Sequence, residues 1–200
     1  MSLSADYSSA DDATLVRAAQ GGDMRAFEEL VARHRDKVYS RAYSIVRNEA
    51  DALDISQEAW VKAWQRLGQF HGQASFATWV TRIVINLCVD WLRQRNRLDA
   101  ESIEQWADEL GGIEQLLPRE IVNPTAQLER EELRQRIDAA LGQLSETHRL
   151  VLILHEFEGM KYKQIAKLMG CSLGTVMSRL FYARRRLAAL LASVIDESRK

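Results

Sequence analysis

The sequence predicts an all-α protein of two small helical domains, and three observations carry that prediction. Two prolines and ten glycines in 200 residues leave little turn material for a fold of many short strands. The chain is 28% charged and 46% hydrophobic, rich in the strong helix formers Leu, Ala, Arg and Glu. Its apolar residues recur at helical spacing on both sides of one aperiodic stretch, Asp99 to Asn123. Two hundred residues suffice for two small cores.

Asp11 or Asp12 can cap a short first helix with Leu15 and Val16 as its contacts, ended by Gly21-Gly22. A longer helix follows from about Met24 to Arg47, with Phe27, Leu30, Val31, Val38 and Ile45 on one face and Asn48 as its stop. Asp51 is the expected cap of a third helix reaching about Leu67, with Leu53, Ala59, Trp60, Ala63, Trp64 and Leu67 apolar. A loop, Gly68 to Ala74, precedes the cleanest helix, capped by Ser75. There Phe76, Trp79, Val80, Ile83, Val84, Leu87, Cys88, Trp91 and Leu92 follow the i, i+3, i+4, i+7 pattern over more than four turns. These four helices make a domain over residues 12–98.

Residues 99–123 hold Gly111-Gly112 and Pro118 and read as a flexible acidic linker. Asn123-Pro124 has the form of a helix start, opening a second domain over residues 124–195. Its first helix carries Leu128, Leu133, Ile137, Leu141 and Leu144 inward; Ser145 caps the next, with Val151, Leu152 and Leu154, closing at Gly159. Tyr162 to Met169 is a short helix, Gly170-Cys171 a tight turn, and Ser172 the cap of a last helix with Val176, Leu180, Ala183, Leu187, Leu190 and Val194 inward. Short helix, glycine turn and capped basic helix together form a helix-turn-helix.

Several function classes drop out. Cys88 and Cys171 stand far apart with no Cys/His cluster, which reads as buried reduced thiols and neither a disulfide framework nor a zinc site. No apolar run approaches the ~18 residues of a membrane span. Met1 to Asp12 lacks a basic start and an apolar stretch, so no signal peptide is expected and the protein reads as cytoplasmic. His34, His71, His148 and His155 show no metal spacing, and no catalytic constellation or phosphate-binding loop is present, so neither a cofactor nor an enzyme activity is expected.

A net charge of −1 argues at first against a nucleic-acid partner. Taken in segments, the charge is +1 from Met1 to Leu98, −8 from Asp99 to Glu132 and +6 from Leu133 to Lys200. Neutrality is thus an average over a neutral head, an acidic middle and a basic tail.

Three surfaces have candidate chemistry, each with a plainer alternative. In the helix-turn-helix, Thr175, Ser178 and Arg179 are placed to reach bases or phosphates, with Lys161, Lys163, Lys167 and Arg184-Arg185-Arg186 as backbone charge; the alternative is a packing unit with a solvated basic face. Around the Gly68–Ala74 loop, Phe70, His71, Phe76 and Trp79 lie near Arg82 and Asn86, a set suited to unstacked bases, although Phe76 and Trp79 fall on the apolar face and read as core. Asp54, Gln57, Glu58 and Val61 form a polar-plus-aliphatic stripe, either a helix-docking face or a solvated one.

In order along the chain, these pieces resemble the extracytoplasmic-function sigma factors of bacterial RNA polymerase. The matching stretches are Ala26-Phe-Glu-Glu-Leu-Val31, Asp54-Ile-Ser-Gln-Glu-Ala-Trp60 with Lys62-Ala-Trp64, Phe70-His-Gly-Gln-Ala-Ser-Phe-Ala-Thr-Trp79 followed by Arg82-Ile83 and Asn86, and Gly170-Cys-Ser-Leu-Gly-Thr-Val-Met-Ser-Arg-Leu180. The resemblance spans about Asp12 to Leu191. It implies a non-enzymatic alternative sigma factor that directs core polymerase to promoters of a stress or envelope-response regulon. Its partners would be the beta-prime clamp helices, the beta flap, promoter DNA and an anti-sigma factor, with no membrane insertion.

By the same resemblance, Asp54, Gln57, Glu58, Val61, Trp64 and Leu67 bind core polymerase. Phe70, His71, Gly72, Ala74, Ser75, Arg82 and Asn86 meet the minus-ten element, whose flipped-out base enters the loop. Lys163, Ser172, Thr175, Ser178, Arg179, Phe181, Arg184 and Arg185 meet the minus-thirty-five element. The chain departs from the family pattern at Met177 and Tyr182, where basic residues are common, which implies altered anchoring or a different promoter sequence. The acidic linker is expected to thread the positively lined RNA exit channel. A stand-alone dimeric helix-turn-helix regulator and a helical adaptor that binds no nucleic acid are the competing classes.

Overall fold

A computed structural model describes residues 7–98 and 126–197. Helices α1 (Asp12–Gln20), α2 (Met24–Val46), α3 (Glu49–Arg66) and α4 (Phe76–Leu98) form the first domain; α5 (Ala126–Gly142), α6 (Glu146–Leu152), α7 (Tyr162–Met169) and α8 (Leu173–Glu197) form the second. A 3₁₀ turn, Leu67–Gln69, follows α3, and a π-helical turn, Ile153–Phe157, follows α6. There is no strand among the described residues. The acidic linker and the Asn123-Pro124 helix start lie outside the described residues.

Side-chain caps set most of the helix starts. Asp11 accepts from the Thr14 N–H at 2.8 Å, Ser75 from Thr78 at 3.1 Å and Ser172 from Thr175 at 3.0 Å, so these expected caps are present. The third helix differs from expectation. Arg47 ends α2 in the left-handed region at φ 56°, and Asn48 at once caps α3, its side-chain oxygen accepting from Asp51 N–H at 3.0 Å. Asp51 therefore sits in the first turn, where its carboxylate favours the positive helix end.

The α4 apolar face is the centre of the first core, with Phe76, Val80, Ile83, Val84, Leu87, Cys88 and Leu92 all buried. Against it α3 presents Ala52, Ile55, Ala59 and Ala63, mostly small residues that let neighbouring backbones come close. Leu53, one of the apolar residues of this helix, is 49% exposed, because one helical step from the buried Ala52 turns it about 100° round the helix. Leu133 is likewise exposed, at 53%, and α5 is anchored further on by Ile137, Ala140 and Leu141. In the second domain Leu150, Val151, Leu152, Ile153 and Leu154 pack with Ile165, Val176, Leu180 and Ala183.

The two cores are continuous, because α2 packs on α5 and α6, and α4 on α7. At the centre of this contact is a charged residue that periodicity cannot flag as core. Arg149 of α6 is 3% exposed. Its Nε donates to the Ile45 carbonyl at 2.8 Å, and its Nη1 faces the Leu141, Gly142 and Leu144 carbonyls at 3.3–3.4 Å. Burial, then the nearby Arg47, pushes Arg149 down to about 10, which still leaves it protonated at neutral pH. Around it Arg41 pairs with Glu158 at 2.7 Å and Arg47 with Asp138 at 2.6 Å. Arg93 Nη2 donates to the Leu168 carbonyl at 2.7 Å.

Arg149→Ala should lower the unfolding free energy in a urea titration by about 3 kcal/mol, the scale for orphaning buried polar partners and opening a cavity. Arg149→Lys should recover only part of it, since an ammonium lacks the planar fork that spans two helix ends. Cys88 is 0% exposed and burial pushes its thiol up to about 12. In the native chain at pH 8 it should resist iodoacetamide, and mass spectrometry should find it alkylated only after denaturation.

Candidate nucleic-acid interface

The first candidate surface is the outer side of α3. Asp54, Gln57, Glu58 and Val61 are all exposed, Val61 by 56%, and the exposed Leu53 joins the stripe beside Asp54, in line with Gln57 and Val61. Beside them a shallow groove of about 380 Å³ runs between α3 and α4, with Asp51, Asp54, Glu58 and Asp90 on its rim and Ile55, Leu87 and Trp91 in its floor. Lys62 leans back onto Glu58 at 3.0 Å, so the rim stays net acidic. Trp64 is half-buried, its ring 4.9 Å from Phe27. Leu67 is 2% exposed and belongs to the core. Its side chain seats the end of α3, where the 3₁₀ turn begins.

The second surface is the loop before α4. His71, Gly72 and Gln73 are exposed, and Gly72 adopts φ +72°, which a side chain would strain. The loop is held from both sides. Gln20 Nε2 donates to the Leu67 and Phe70 carbonyls, each at 2.9 Å. The Phe70 ring packs 5.2 Å from Trp79 and 6.1 Å from the buried Phe76. Phe76 and Trp79 are thus packing residues, as their place on the apolar face implies, and Phe70 presents only part of its ring to solvent. Ser75 is occupied as the α4 cap, with its hydroxyl 2.8 Å from that of Thr78. Ala74 is half-buried, while Arg82 and Asn86 project from the solvent side of α4, one turn apart.

The third surface is the helix-turn-helix. Gly170 ends α7 at φ 65°, and the Cys171 N–H returns to the Ala166 carbonyl at 3.1 Å, closing the turn. Opposite the buried Val176, Leu180 and Ala183, α8 presents Gly174, Ser178 and Phe181. The Ser172 and Thr175 hydroxyls lie 2.8 Å apart, and Ser178 Oγ donates to the Thr175 carbonyl at 3.1 Å. Lys163 is exposed and Arg179 half-buried. Burial, then the charge of Arg179, holds the His148 imidazolium below its ordinary range. Arg184 is engaged inside the domain: its Nε and Nη2 both reach Glu156 Oε1, at 2.8 and 2.6 Å. Arg185 is half-buried along the same helix. Exposed Met177, Leu173 and Phe157 interrupt this basic surface with apolar groups.

Among the described residues no group of His, Cys, Asp and Glu is arranged to hold a metal, and no helix is long and apolar enough to cross a membrane. What the surfaces offer is binding: an acidic-and-aliphatic helix face, a pinned aromatic loop beside a cation and an amide, and a hydroxyl-rich first turn framed by lysine and arginine.

Two family models match separate stretches of the chain. The sigma-70 region 2 family matches residues 30–98, and the sigma-70 region 4 family matches residues 134–187. The RNA polymerase sigma-H factor of Pseudomonas aeruginosa is 35% identical over 94% of this chain and 97% of its own length. The ECF RNA polymerase sigma-E factor of Escherichia coli K12 is 37% identical over 88% of this chain and 92% of its own. Among solved structures, CnrH in complex with the cytosolic domain of CnrY is 28% identical, covering 91% of this chain and 97% of that one, at a TM-score of 0.50. The sigma factor RpoE bound to the anti-sigma factor NepR from Bartonella quintana shares the fold at 24% identity and a TM-score of 0.50, over 84% and 98% of the two chains. With both sigma regions matched in order and relatives aligned over nearly their whole length, the chain belongs to the extracytoplasmic-function branch of the sigma-70 family, the factors that direct RNA polymerase to promoters to initiate transcription.

Proposed function

We propose that this chain performs its sigma role through three exposed faces, as a cytoplasmic, non-enzymatic initiation factor for a stress or envelope-response regulon. Residues 12–98 act as region 2. In them Asp54, Gln57, Glu58 and Val61 dock on the beta-prime clamp helices, with Trp64 behind them as support. Phe70, His71, Gly72 and Ala74 receive a base of the opened minus-ten element, and Arg82 and Asn86 hold the neighbouring backbone. Ser75 shapes that site by capping α4.

Residues 124–195 act as region 4, where Lys163, Ser172, Thr175, Ser178, Arg179, Phe181 and Arg185 meet the minus-thirty-five duplex and the domain lies by the beta flap. Arg184, held on Glu156, steadies this face and adds less charge to it than its sequence position implies. The acidic residues 99–123 favour a positively lined channel. An anti-sigma factor is a further expected partner, as NepR is for the RpoE of Bartonella quintana.

The observation that carries this reading is the exposure of the motif residues. Asp54, Gln57, Glu58, Val61, His71, Arg82, Asn86, Ser172 and Ser178 project from the packed core without serving it. A stand-alone regulator would need no polymerase to bind DNA, and that separates the two classes.

In transcription assays with purified core polymerase and a genomic promoter library, the chain should start transcripts that core alone does not. Arg179→Ala should weaken promoter binding about tenfold, the scale of one lost charged base or phosphate contact. Val61→Glu should weaken core binding in a direct pull-down while leaving the thermal unfolding midpoint within a few degrees, since Val61 is outside the core. Replacing Glu101, Glu104, Asp108 and Glu109 with amides should weaken holoenzyme assembly or abortive initiation, and no change in either overturns the linker's role.

A further inference from the structure

The recognition helix α8 has a feature that charge and hydrogen bonding leave unexplained. Leu173, Met177 and Phe181, spaced i, i+4, i+8, are 41%, 53% and 39% exposed. They form an apolar stripe along the first turns, flanked on its outer side by the exposed Gly174 and Ser178. Exposed large apolar groups in a row mark contact surfaces. None of the three belongs to the buried set of α8, which is Val176, Leu180 and Ala183.

We infer that this stripe reads thymine methyl groups in the major groove, and that Met177 is a specificity-determining residue of the upstream promoter element. The inference rests on the proposed reading of α8 as the helix that enters duplex DNA. A thioether and a hydrocarbon ring donate no hydrogen bond to a base edge, so guanine, cytosine and adenine offer this stripe nothing distinctive. The C5-methyl of thymine is the one apolar feature of the major groove.

The surroundings select DNA over a protein groove as the occupant. The stripe lies on a helix bordered by the exposed Lys163 and Lys167 of α7 and the exposed Arg186 of α8, a frame suited to phosphates. Gly174, beside Leu173, leaves the first turn open: a Cβ there would meet only Ser172 Oγ, at 3.7 Å. The base-facing turns therefore carry small, hydroxyl and apolar groups, and the cations stand at the edges. That division matches contacts that specify sequence inside the groove and contacts that position the helix on the backbone.

The test uses holoenzyme reconstituted with core polymerase. An upstream element selected from a randomised library should hold thymines. Each is then replaced singly by 2′-deoxyuridine, which lacks only the methyl. At one or more positions, binding should fall about fourfold, the value of burying one methyl-sized group. Met177→Ala should show the same loss on the thymine promoter and no further loss with deoxyuridine at its position. Far-UV melting should leave Met177→Ala as stable as the parent. Arg179→Ala should bind more weakly yet remain sensitive to deoxyuridine.

Deoxyuridine without effect at every position, while Arg179→Ala still weakens binding, overturns the methyl reading and leaves α8 as the DNA-binding helix. No dependence on the upstream sequence or on Arg179 overturns the reading of α8 itself. Weaker core-polymerase binding by Met177→Ala in the absence of DNA assigns the stripe to a protein partner and overturns the inference.

Discussion

A helix that ends inside a protein leaves its last carbonyls without donors, and this fold brings two such ends together. The last turn of α2 presents the Ile45 carbonyl, and the last turn of α5 those of Leu141 and Gly142, to the same buried region. Each orphaned carbonyl there would cost about 1–3 kcal/mol, and two negative dipole ends would repel. Arg149 resolves both with one guanidinium. Its fixed fork reaches two helices at once, and its charge is of the sign that helix C-termini favour. The device recurs where Arg93, near the end of α4, caps the Leu168 carbonyl in the last turn of α7. Helix ends, more than apolar faces, thus set how the two domains meet.

That solution determines the distribution of charge. In the ion pairs across the domain contact the cations come from the first domain and the anions from the second: Arg41 with Glu158, Arg47 with Asp138, Arg95 near Glu146 at 3.6 Å. Asp138, Glu146 and Glu158 are thereby held at its inner side, and Glu156 is taken up by Arg184. The exposed charges that remain on α7 and the described part of α8 include Lys163, Lys167 and Arg186, set among hydroxyls and the apolar Leu173, Met177 and Phe181. The same sorting leaves the groove beside α3 acidic, so the two candidate binding faces differ in sign and suit different partners.

The long α4 links these tasks mechanically. Its inner face supplies the first core, its solvent side carries Arg82 and Asn86, its start is joined to the aromatic loop through Phe76 and Trp79, and its far end touches α7. A loop pinned by Gln20 and by three rings, on a helix that is itself buried along one side, loses little further freedom when a base enters. Preorganisation of that kind lowers the ordering cost of binding.

Much of this was legible from the residues, and the misses share a cause. The Phe76–Leu92 periodicity, the caps at Asp11, Ser75 and Ser172, and the turn at Gly170 are local patterns, readable within one or two helical turns. The stripe of α3 was legible as an exposed face, although Leu53 joins it and Leu67 does not. Asn48 and Asp51 stand three residues apart as rival caps, and only backbone geometry decides between them. Arg149 left no trace of its burial, because its partners are carbonyls, one of them 104 residues away in Ile45. Backbone acceptors have no residue type, so a charged side chain that serves them looks identical in sequence to one that faces water. The same reasoning applies to Arg47 and Arg93, whose partners Asp138 and the Leu168 carbonyl lie 91 and 75 residues away. Long-range satisfaction of helix termini is a constraint that periodicity cannot register, and here it governs the joint between the domains.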